Sequence, residues 1–380
     1  MIPFNKVVSF PESIVNINKA VRRNNIACDG FYTDKCKDTL GQMYGLSNTV
    51  MTNSCTSALE ICALAIKSLR GCEGTVLVPA FGYVSSVNAF SKFGFRIKFL
   101  DVDPNTGQID LDELSDDILD DAIALVFIHY GGGLSPLDKL RSLCASRDIF
   151  FVHDAAQSIN HIDEGGYPLL PNEFLAVSFH ETKNIGCGQG GALFFGDADK
   201  EELIYSIRDK GTNRQAFQTG RVDRYTWTAV GGAYAISELS AAYLSGGLEN
   251  LEGVNRSRAE FYNYYLKFFE SKGIDHFDFS KGKKSFNWHL FALKVPAEKR
   301  SAFIKSMLEL GVITPFHYLP LPLSPIGNKL HSQGSPEQFK NSIDLATSIL
   351  RLPIFYSEQP SEIAAEVCEA VMETFDGLAL

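Results

Sequence analysis

Runs of lysine and arginine are missing from this 380-residue sequence, whose formal net charge is −10. A general binder of nucleic acid or of anionic membranes needs such a run, so the sequence argues against both kinds of partner. No apolar run is long enough to span a bilayer, and the N-terminus lacks the basic segment and apolar core of a secretory signal. We therefore expect a soluble cytoplasmic protein, in which a local positive site could still hold a small anion.

Paired cysteines are also missing. The eight cysteines are scattered, with no Cys-x-x-Cys pair and no histidine at the spacing of zinc ligands. A chain of this length with 45% hydrophobic residues can bury a core large enough to fold without disulfides. We expect reduced thiols and no bound metal. The cysteines are at positions 28, 36, 55, 62, 72, 144, 187 and 368.

Short apolar runs alternate with helix-like segments through the first half of the chain. The runs are rich in Val, Ile and Phe, which is typical of parallel strands covered on both faces. Segments 56–70 and 137–148 have apolar residues at the three- and four-residue spacing of helices. This alternation predicts a doubly wound α/β domain, in which ligands gather at the carboxyl ends of the strands. The predicted strands are 75–81, 96–102, 123–130, 149–154, 175–180 and 191–196.

The order of elements changes in the last third of the chain. Segment 255–273 has the pattern of a long amphipathic helix, 287–295 that of a strand, and 298–311 that of a helix. This order predicts a second, smaller α/β domain that closes over the first. We place the large domain in residues 1–250 and the small one in residues 251–380.

Two side chains suited to chemistry follow predicted strands. Asp154 ends the strand 149–154, and Lys183 comes just after the strand 175–180. Because parallel strands end at one edge of a sheet, both residues should lie where ligands gather. Taken singly, Asp154 could cap the following turn with Ser158, and Lys183 could be a solvated surface charge.

Small polar residues lead directly into the helix predicted at 56–70. Such a helix N-terminus suits an anion, because the first N–H groups have no partner within the helix. The same residues would serve equally as an ordinary N-cap, so both interpretations stay open. The polar residues are Asn53, Ser54, Thr56 and Ser57.

The glycine-rich run 186–191 resembles a nucleotide-binding loop, but that fingerprint precedes a helix and this run precedes a predicted strand. We interpret its glycines as room for the chain to turn beside a bulky group.

Pyridoxal phosphate (PLP) accounts for these features together, since it needs a lysine for its Schiff base, a carboxylate against its ring nitrogen and an anion site for its phosphate. Lys183, Asp154 and the helix start at Thr56 match these needs, and Tyr83 could hold the ring face.

Several longer stretches resemble the DegT/DnrJ/EryC1-type sugar-nucleotide aminotransferases of the aspartate-aminotransferase (fold type I) superfamily. The resemblance covers nearly the whole chain. It is nearest to the branch that makes dTDP-4-amino-4,6-dideoxygalactose from dTDP-4-keto-6-deoxyglucose and L-glutamate, with which SFHETKN, KGTNR and YTW agree. The stretches include SCTSALE (54–60), VHDAAQS (152–158), SFHETKN (178–184), KGTNR (210–214), YTW (225–227) and FHYLPL (316–321).

The resemblance implies a PLP-dependent aminotransferase whose large domain is built on a mostly parallel seven-stranded sheet. Lys183 would be the Schiff-base lysine and Asp154 the partner of the pyridine nitrogen. Family members are homodimers with sites at the subunit interface, so segment 210–234 would reach toward the partner's site. The other cofactor contacts implied by the family are Thr56, Ser57, Tyr83, Gln157 and Ser178.

The substrate contacts leave alternatives open. His317 and Tyr318 match a family segment of the substrate site, but His317 could also belong to a loop packed by its prolines. Arg214 and Arg224 could pair with the sugar-nucleotide diphosphate or with the glutamate carboxylate, or be ordinary surface charges. Many family members have an asparagine that reaches the cofactor phosphate across the interface, and Ala233 stands in its place here, so that contact is absent or replaced.

The same fold also supports other functions. An aminotransferase that acts at C3, or that gives the gluco configuration, would use the same catalytic residues. A PLP-dependent sugar dehydratase is disfavoured, because relatives of that type have histidine in place of Lys183. A regulatory protein that binds PLP or a sugar nucleotide without turnover is disfavoured by the intact Lys183 and Asp154. The expected product would serve surface polysaccharide, such as lipopolysaccharide O-antigen, or glycoconjugate biosynthesis.

Overall fold

The computed structural model describes residues 1–160, 162, 166–283, 285–330 and 335–379. Its central sheet has seven strands: β1 (Thr49–Thr52), β2 (Thr75–Pro79), β3 (Arg96–Leu100), β4 (Ala122–Ile128), β5 (Phe150–Asp154), β6 (Glu173–Ser178) and β7 (Gly191–Phe195). Their order across the sheet is β1-β7-β6-β5-β4-β2-β3. Strands β2 to β6 are parallel, whereas β7 is antiparallel to both of its neighbours. The predicted fold class, a mostly parallel seven-stranded sheet between helices, is confirmed.

All six strands predicted from apolar runs are present. Four of them are one or two residues shorter than predicted, whereas β4 and β6 begin one and two residues earlier and end two residues earlier. The seventh, β1, has only four residues, too few for a recognisable apolar run. Strand β3, at one edge of the sheet, differs from the other strands because alternate residues along it are exposed. Its Arg96 and Lys98 are exposed while Ile97 and Phe99 are buried, the alternation expected of a strand with one free face.

Helices surround the sheet and connect its strands. In the described part of the chain they are α1 (Pro11–Arg22), α2 (Phe31–Tyr44), α3 (Cys55–Arg70), α4 (Ser85–Ser91), α5 (Asp116–Asp120), α6 (Asp138–Ser146), α7 (Glu201–Arg208), α8 (Arg214–Gln218), α9 (Glu238–Leu248), α10 (Leu251–Lys272), α11 (Arg300–Glu309), α12 (Pro325–Leu330), α13 (Lys340–Ser348) and α14 (Pro360–Leu378).

Both faces of the central sheet are covered, since neighbouring residues of a strand point to opposite faces. On β6, Phe174 and Ala176 belong to the core that contains α3. Leu175 and Val177 belong to the core formed with α2 and α9. With both faces buried, the carboxyl edge of the strands is the place where polar side chains can meet a ligand.

A second, three-stranded sheet is formed by β8 (His276–Phe277), β9 (Phe291–Lys294) and β10 (Ile349–Leu352) in the antiparallel order β10-β9-β8. Helices α10, α11 and α14 share a core with it. The boundary predicted after residue 250 falls immediately before α10, and the division into two domains stays a prediction.

The strand predicted at 287–295 is shorter than expected. Strand β9 begins only at Phe291, because Trp288 has a φ angle of 48°, which a strand does not accommodate. Asn287 and His289 instead contact loops at the edge of the central sheet.

The eight cysteines all lie within the described residues, and each is a free thiol. None of the helices in that part of the chain combines the length and the apolar character needed to cross a bilayer.

Candidate active site

Asp154 ends β5 at the carboxyl edge of the central sheet and is 5% exposed. Its Oδ2 accepts a hydrogen bond from Ser86 Oγ at 2.5 Å, and its Oδ1 accepts one from the backbone N–H of Ala156 at 3.0 Å. Burial raises the pKa of Asp154, while these hydrogen bonds and the charge of Lys183 oppose that rise. The carboxylate is therefore buried and fixed in direction at the edge where a ligand would bind.

Lys183 lies in the turn after β6, where its backbone N–H donates to the carbonyl of His180 at 2.9 Å. The side chain is half-buried, and within the described residues its amine has no hydrogen-bond or ion-pair partner. Burial lowers the pKa of Lys183, an effect that Cys55 and Asp154 partly oppose. The structure thus brings the predicted lysine and the predicted aspartate close enough for each to act on the other's pKa.

The N-terminus of α3 supplies polar groups at the same edge. Ser54 is the N-cap, and its Oγ accepts the backbone N–H of Ser57 at 3.0 Å. The N–H groups of Cys55 and Thr56 have no acceptor in the part of the chain that the structure describes. Thr56 Oγ1 lies 2.8 Å from Ser85 Oγ. One residue therefore caps the helix while two N–H groups remain for an anion, so the two interpretations of this run are compatible.

Ser178 lies beside this helix start because of a glycine. It pairs with Gly191 across β6 and β7. A Cβ on Gly191 would lie 2.5 Å from the backbone nitrogen of Cys55 and 2.5 Å from the carbonyl carbon of Ser54. The sequence predicts that the glycines of 186–191 leave room for a bulky neighbour. At Gly191 that neighbour is the start of α3.

An aromatic group lines the site. Gln157 Nε2 donates to the Tyr318 hydroxyl at 3.1 Å, and the Tyr318 ring lies 3.7 Å from that of His317 and 6.2 Å from that of Tyr83, centroid to centroid. His317 Nδ1 is 2.5 Å from the Tyr130 hydroxyl. The structure thus brings the predicted residues Tyr83, Gln157, His317 and Tyr318 together.

The aromatic group lies close enough to Lys183 and Asp154 for their charges to act on its pKa values. Burial raises the pKa of Tyr318 to about 12, with a contribution from the charge of Asp154. Burial also lowers the pKa of His317, with contributions from the charges of Arg351 and Lys183. His317 is therefore a neutral imidazole near neutral pH.

Arg214 and Arg224 lie apart from this group. Arg214 Nη1 is 2.7 Å from Asp29 Oδ2, and the Arg224 side chain is 88% exposed beside Asp223. Neither arginine is among the groups that shift the pKa of Lys183. Their predicted contact with a substrate stays a prediction.

Ala233 packs against the turn before α3. Its carbonyl accepts a hydrogen bond from Asn53 Nδ2 at 3.0 Å. The side chain of Asn53 thus holds the segment around Ala233 in place.

Arg351 is a member of the site that sequence reasoning missed. Its Nε and Nη2 donate to the carbonyl of Phe316 at 3.2 and 2.8 Å, and no carboxylate among the described residues pairs with it. Burial lowers the pKa of Arg351, and its charge acts on the pKa values of Lys183 and His317. A single arginine inside the apolar run SILRLPIF was the available signal.

Ser86 and His289 were also missed. Ser86 is fully buried and orients Asp154. His289 Nδ1 lies 3.0 Å from the side-chain oxygen of Asn184, the residue after Lys183. Neither carries a signal in the sequence, because each partner is more than sixty residues away.

The donor set fits PLP. The amine of Lys183 is free of partners among the described residues, the Asp154 carboxylate is buried and held by Ser86, and two N–H groups at the start of α3 are available for an anion. PLP requires groups of these three kinds, an amine, a carboxylate for its ring nitrogen and an anion site for its phosphate, and the role of each residue stays a prediction.

Known proteins share the sequence pattern and the fold of this chain. The sequence pattern of the DegT/DnrJ/EryC1/StrS aminotransferase family matches residues 11–372. The fold is similar to that of the aminotransferase TlmJ from Streptoalloteichus hindustanus, with a TM-score of 0.87, 21% identity and full coverage of both chains. It is also similar to the sugar aminotransferase CalS13 from Micromonospora echinospora, with a TM-score of 0.84, 22% identity and coverage of 98% of this chain and 100% of the other. A third similar structure is GDP-4-keto-6-deoxy-D-mannose-3-dehydratase from E. coli with bound hydrated PLP, with a TM-score of 0.84, 16% identity and coverage of 98% and 99%.

Proposed function

Because the chain belongs to the DegT/DnrJ/EryC1/StrS aminotransferase family, we propose that it transfers the amino group of L-glutamate to a keto-deoxy sugar nucleotide. The chain is an aminotransferase that uses PLP. The proposed substrate is dTDP-4-keto-6-deoxyglucose and the proposed product dTDP-4-amino-4,6-dideoxygalactose. The reaction would take place in the cytoplasm and supply surface polysaccharide or glycoconjugate synthesis.

The observation that carries the proposal is the unpartnered Lys183 amine beside the buried Asp154 carboxylate. When bound, PLP acts as an electron sink while a proton leaves the donor's Cα. Asp154, oriented by Ser86, would keep a proton on the ring nitrogen by offering it a fixed carboxylate. Burial lowers the pKa of Lys183, so its Nζ gives up a proton more readily than an exposed lysine and suits the role of the base that moves the proton.

The amino donor needs a cation for its carboxylate, and we infer that Arg351 supplies it. A half-buried guanidinium is stabilised by a carboxylate, and the described residues provide none for Arg351. The bonds from its Nε and Nη2 to Phe316 fix the plane of the group. Arg214 is less suited, since Asp29 already neutralises it.

A dehydratase is the less favoured activity, even though one similar fold belongs to such an enzyme. Relatives with that activity have histidine where this chain has Lys183, and a lysine amine is the group that aminotransfer needs. A protein that only binds the cofactor or the sugar nucleotide would have no need for a free lysine beside a buried aspartate.

The proposed enzyme is a homodimer, as the family resemblance implies. Support comes from segment 210–234, which has four exposed apolar side chains, with Trp227 76% exposed. An exposed apolar patch of this kind is typical of a protein–protein interface. The four residues are Phe217, Tyr225, Trp227 and Val230.

The test is incubation of the PLP-loaded protein with L-glutamate and a panel of 3-keto and 4-keto dTDP- and UDP-sugars, with mass spectrometry and NMR of the products. We expect an amine at C4 of the dTDP-sugar in the galacto configuration. Lys183→Ala should lose all activity and the visible absorbance of PLP bound to the lysine amine. The surface variant Lys305→Ala should keep both. Amination at C3, or a gluco product, would replace the proposed substrate. Full activity of Lys183→Ala would refute the proposal.

A further inference from the structure

Residues 287–289 form a strained segment next to the candidate active site. Trp288 has a φ angle of 48°, in the left-handed region that bulky side chains avoid. Such a conformation persists only where the surroundings fix it, and strain of this kind concentrates at functional sites. The segment therefore raises the question of what holds it and what it presents.

The surroundings fix the segment from two sides. Arg258 of α10 donates from Nε to the carbonyl of Trp288 at 3.1 Å and from Nη2 to the carbonyl of His289. Asn287 accepts the N–H of Gly133 at 2.9 Å and donates to the carbonyl of Gln157 at 2.9 Å. These bonds connect the segment to the small sheet's helix and to the loops of the central sheet, so the strained backbone is over-determined.

The bonds of Asn184 determine which nitrogen of His289 carries the proton. Asn184 Nδ2 donates to the backbone carbonyl of Asn287 at 2.6 Å and to the side-chain oxygen of Asn255 at 3.0 Å. Its oxygen therefore faces His289 Nδ1, 3.0 Å away. Since an amide oxygen only accepts, His289 Nδ1 carries a proton.

The other ring nitrogen of His289 is left as an acceptor. Burial lowers the pKa of His289 well below its ordinary value, helped by the charges of Lys183, Arg258 and Arg351. The ring is therefore neutral, with its single proton on Nδ1 and a lone pair on Nε2. Within the described residues Nε2 has no hydrogen-bond partner, and the half-buried ring leaves room for one.

We propose that His289 positions the amino donor: its Nε2 accepts a hydrogen bond from the donor's amino group, while Arg351 holds the carboxylate. This inference rests on the proposed aminotransferase function. Arg351 as a cation only donates hydrogen bonds, so it cannot receive the amino group, whereas the lone pair of His289 can. The strained Trp288 places that acceptor close to the residue that follows Lys183 in the chain.

Two substitutions separate the roles of the two ring nitrogens. His289→Asn places an amide nitrogen near the position of Nδ1, which preserves donation to Asn184 but removes the Nε2 acceptor. His289→Gln places an amide oxygen near the position of Nε2 and restores an acceptor. His276→Asn, in β8 away from the site, is the matched control.

Two measurements test the positioning. In the PLP-loaded enzyme, His289→Asn should raise the KM or Kd for L-glutamate about tenfold, the effect of one lost hydrogen bond of about 1.4 kcal/mol, with a smaller change in the half-reaction that starts from the amino sugar. His289→Gln should recover part of the loss. In the cofactor-free protein, calorimetry should give weaker L-glutamate binding for His289→Asn but unchanged binding of glutarate, which lacks the amino group.

Arg351→Gln is the reference variant and should weaken the binding of L-glutamate and glutarate alike. If His289→Asn binds L-glutamate within twofold of the unaltered protein, or weakens glutarate equally, the positioning role is wrong while the proposed function stands. If the unaltered, PLP-loaded protein does not react with L-glutamate at all, the proposed donor itself is wrong.

Discussion

At the scale of single residues, Lys183 differs from an ordinary lysine in two respects. Its amine has no partner among the described residues, and burial lowers its pKa. A surface lysine avoids both conditions by extending into water. The folded chain therefore carries a charge at this position that opposes folding. A function of the amine would account for it.

This charge predicts a pH-dependent change in stability. Because burial penalises the ammonium form of Lys183 in the folded state, the protonated residue opposes folding below its folded pKa, and the penalty disappears as the pH rises toward the unfolded value of 10.5. Lys183→Met in the cofactor-free protein should raise Tm at pH 7 by about 2–4 °C, and this gain should shrink by pH 10. Thermal unfolding at both pH values measures it.

The control is Lys305→Met on the exposed face of α11, where the side chain is 78% exposed. That variant should show no gain that depends on pH. An unchanged or lower Tm for Lys183→Met at pH 7 would show that the charge of Lys183 does not oppose folding.

The sequence reveals Asp154 and Lys183 because the first ends an apolar strand, the second follows one, and parallel strands share an edge. It conceals Ser86 and His289, and it marks Arg351 only as a single arginine inside an apolar run. Their roles depend on contacts between segments far apart in the chain, and no local pattern encodes those contacts.

At the scale of secondary-structure elements, the start of α3 packs against the end of β6 and the start of β7. Gly191 allows this contact, since a Cβ there would lie 2.5 Å from backbone atoms of Ser54 and Cys55. Gly191→Ala should lower the free energy of unfolding by about 1–3 kcal/mol and weaken PLP binding, because α3 must move away from Ser178. Urea unfolding and PLP titration measure the two effects.

Gly253→Ala provides a control of opposite sign. Gly253 lies in α10, and among the described residues beyond its own turn of helix no atom comes within 4 Å of a Cβ placed there. Alanine should stabilise that helix by about 0.5–1 kcal/mol. A Gly191→Ala variant as stable as the unaltered protein would contradict the close packing of Gly191 against α3.

The elements themselves were predictable from the sequence where the pattern is strong, as in the periodic helices α3 and α10 and the six apolar strands. The shorter β9 was not foreseen, because the tertiary bonds of Arg258 and Asn287 impose the left-handed backbone of Trp288. Local propensity cannot report such a constraint.

At the scale of the whole molecule, the exposed apolar side chains of segment 210–234 predict the proposed dimer interface. Trp227→Ser should weaken the dimer, so that a larger fraction sediments as monomer at micromolar concentration, since a large aromatic side chain is a frequent anchor of interfaces. Analytical ultracentrifugation measures the fraction. Leu308→Ser, at a side chain in α11 that is 50% exposed, should leave it unchanged. Equal monomer fractions for both variants would contradict this assignment.

The pairing of β1 with β7 has a consequence for the synthesis of the protein. β1 lies at the edge of the sheet, and its pairing partner is Gly191–Phe195. During translation at about 5–20 residues per second, β1 must wait on the order of ten seconds for β7 to leave the ribosome. Through that interval the nascent chain exposes an unpaired strand followed by the apolar helix α3. This stretch is where a chaperone would be expected to bind the growing polypeptide.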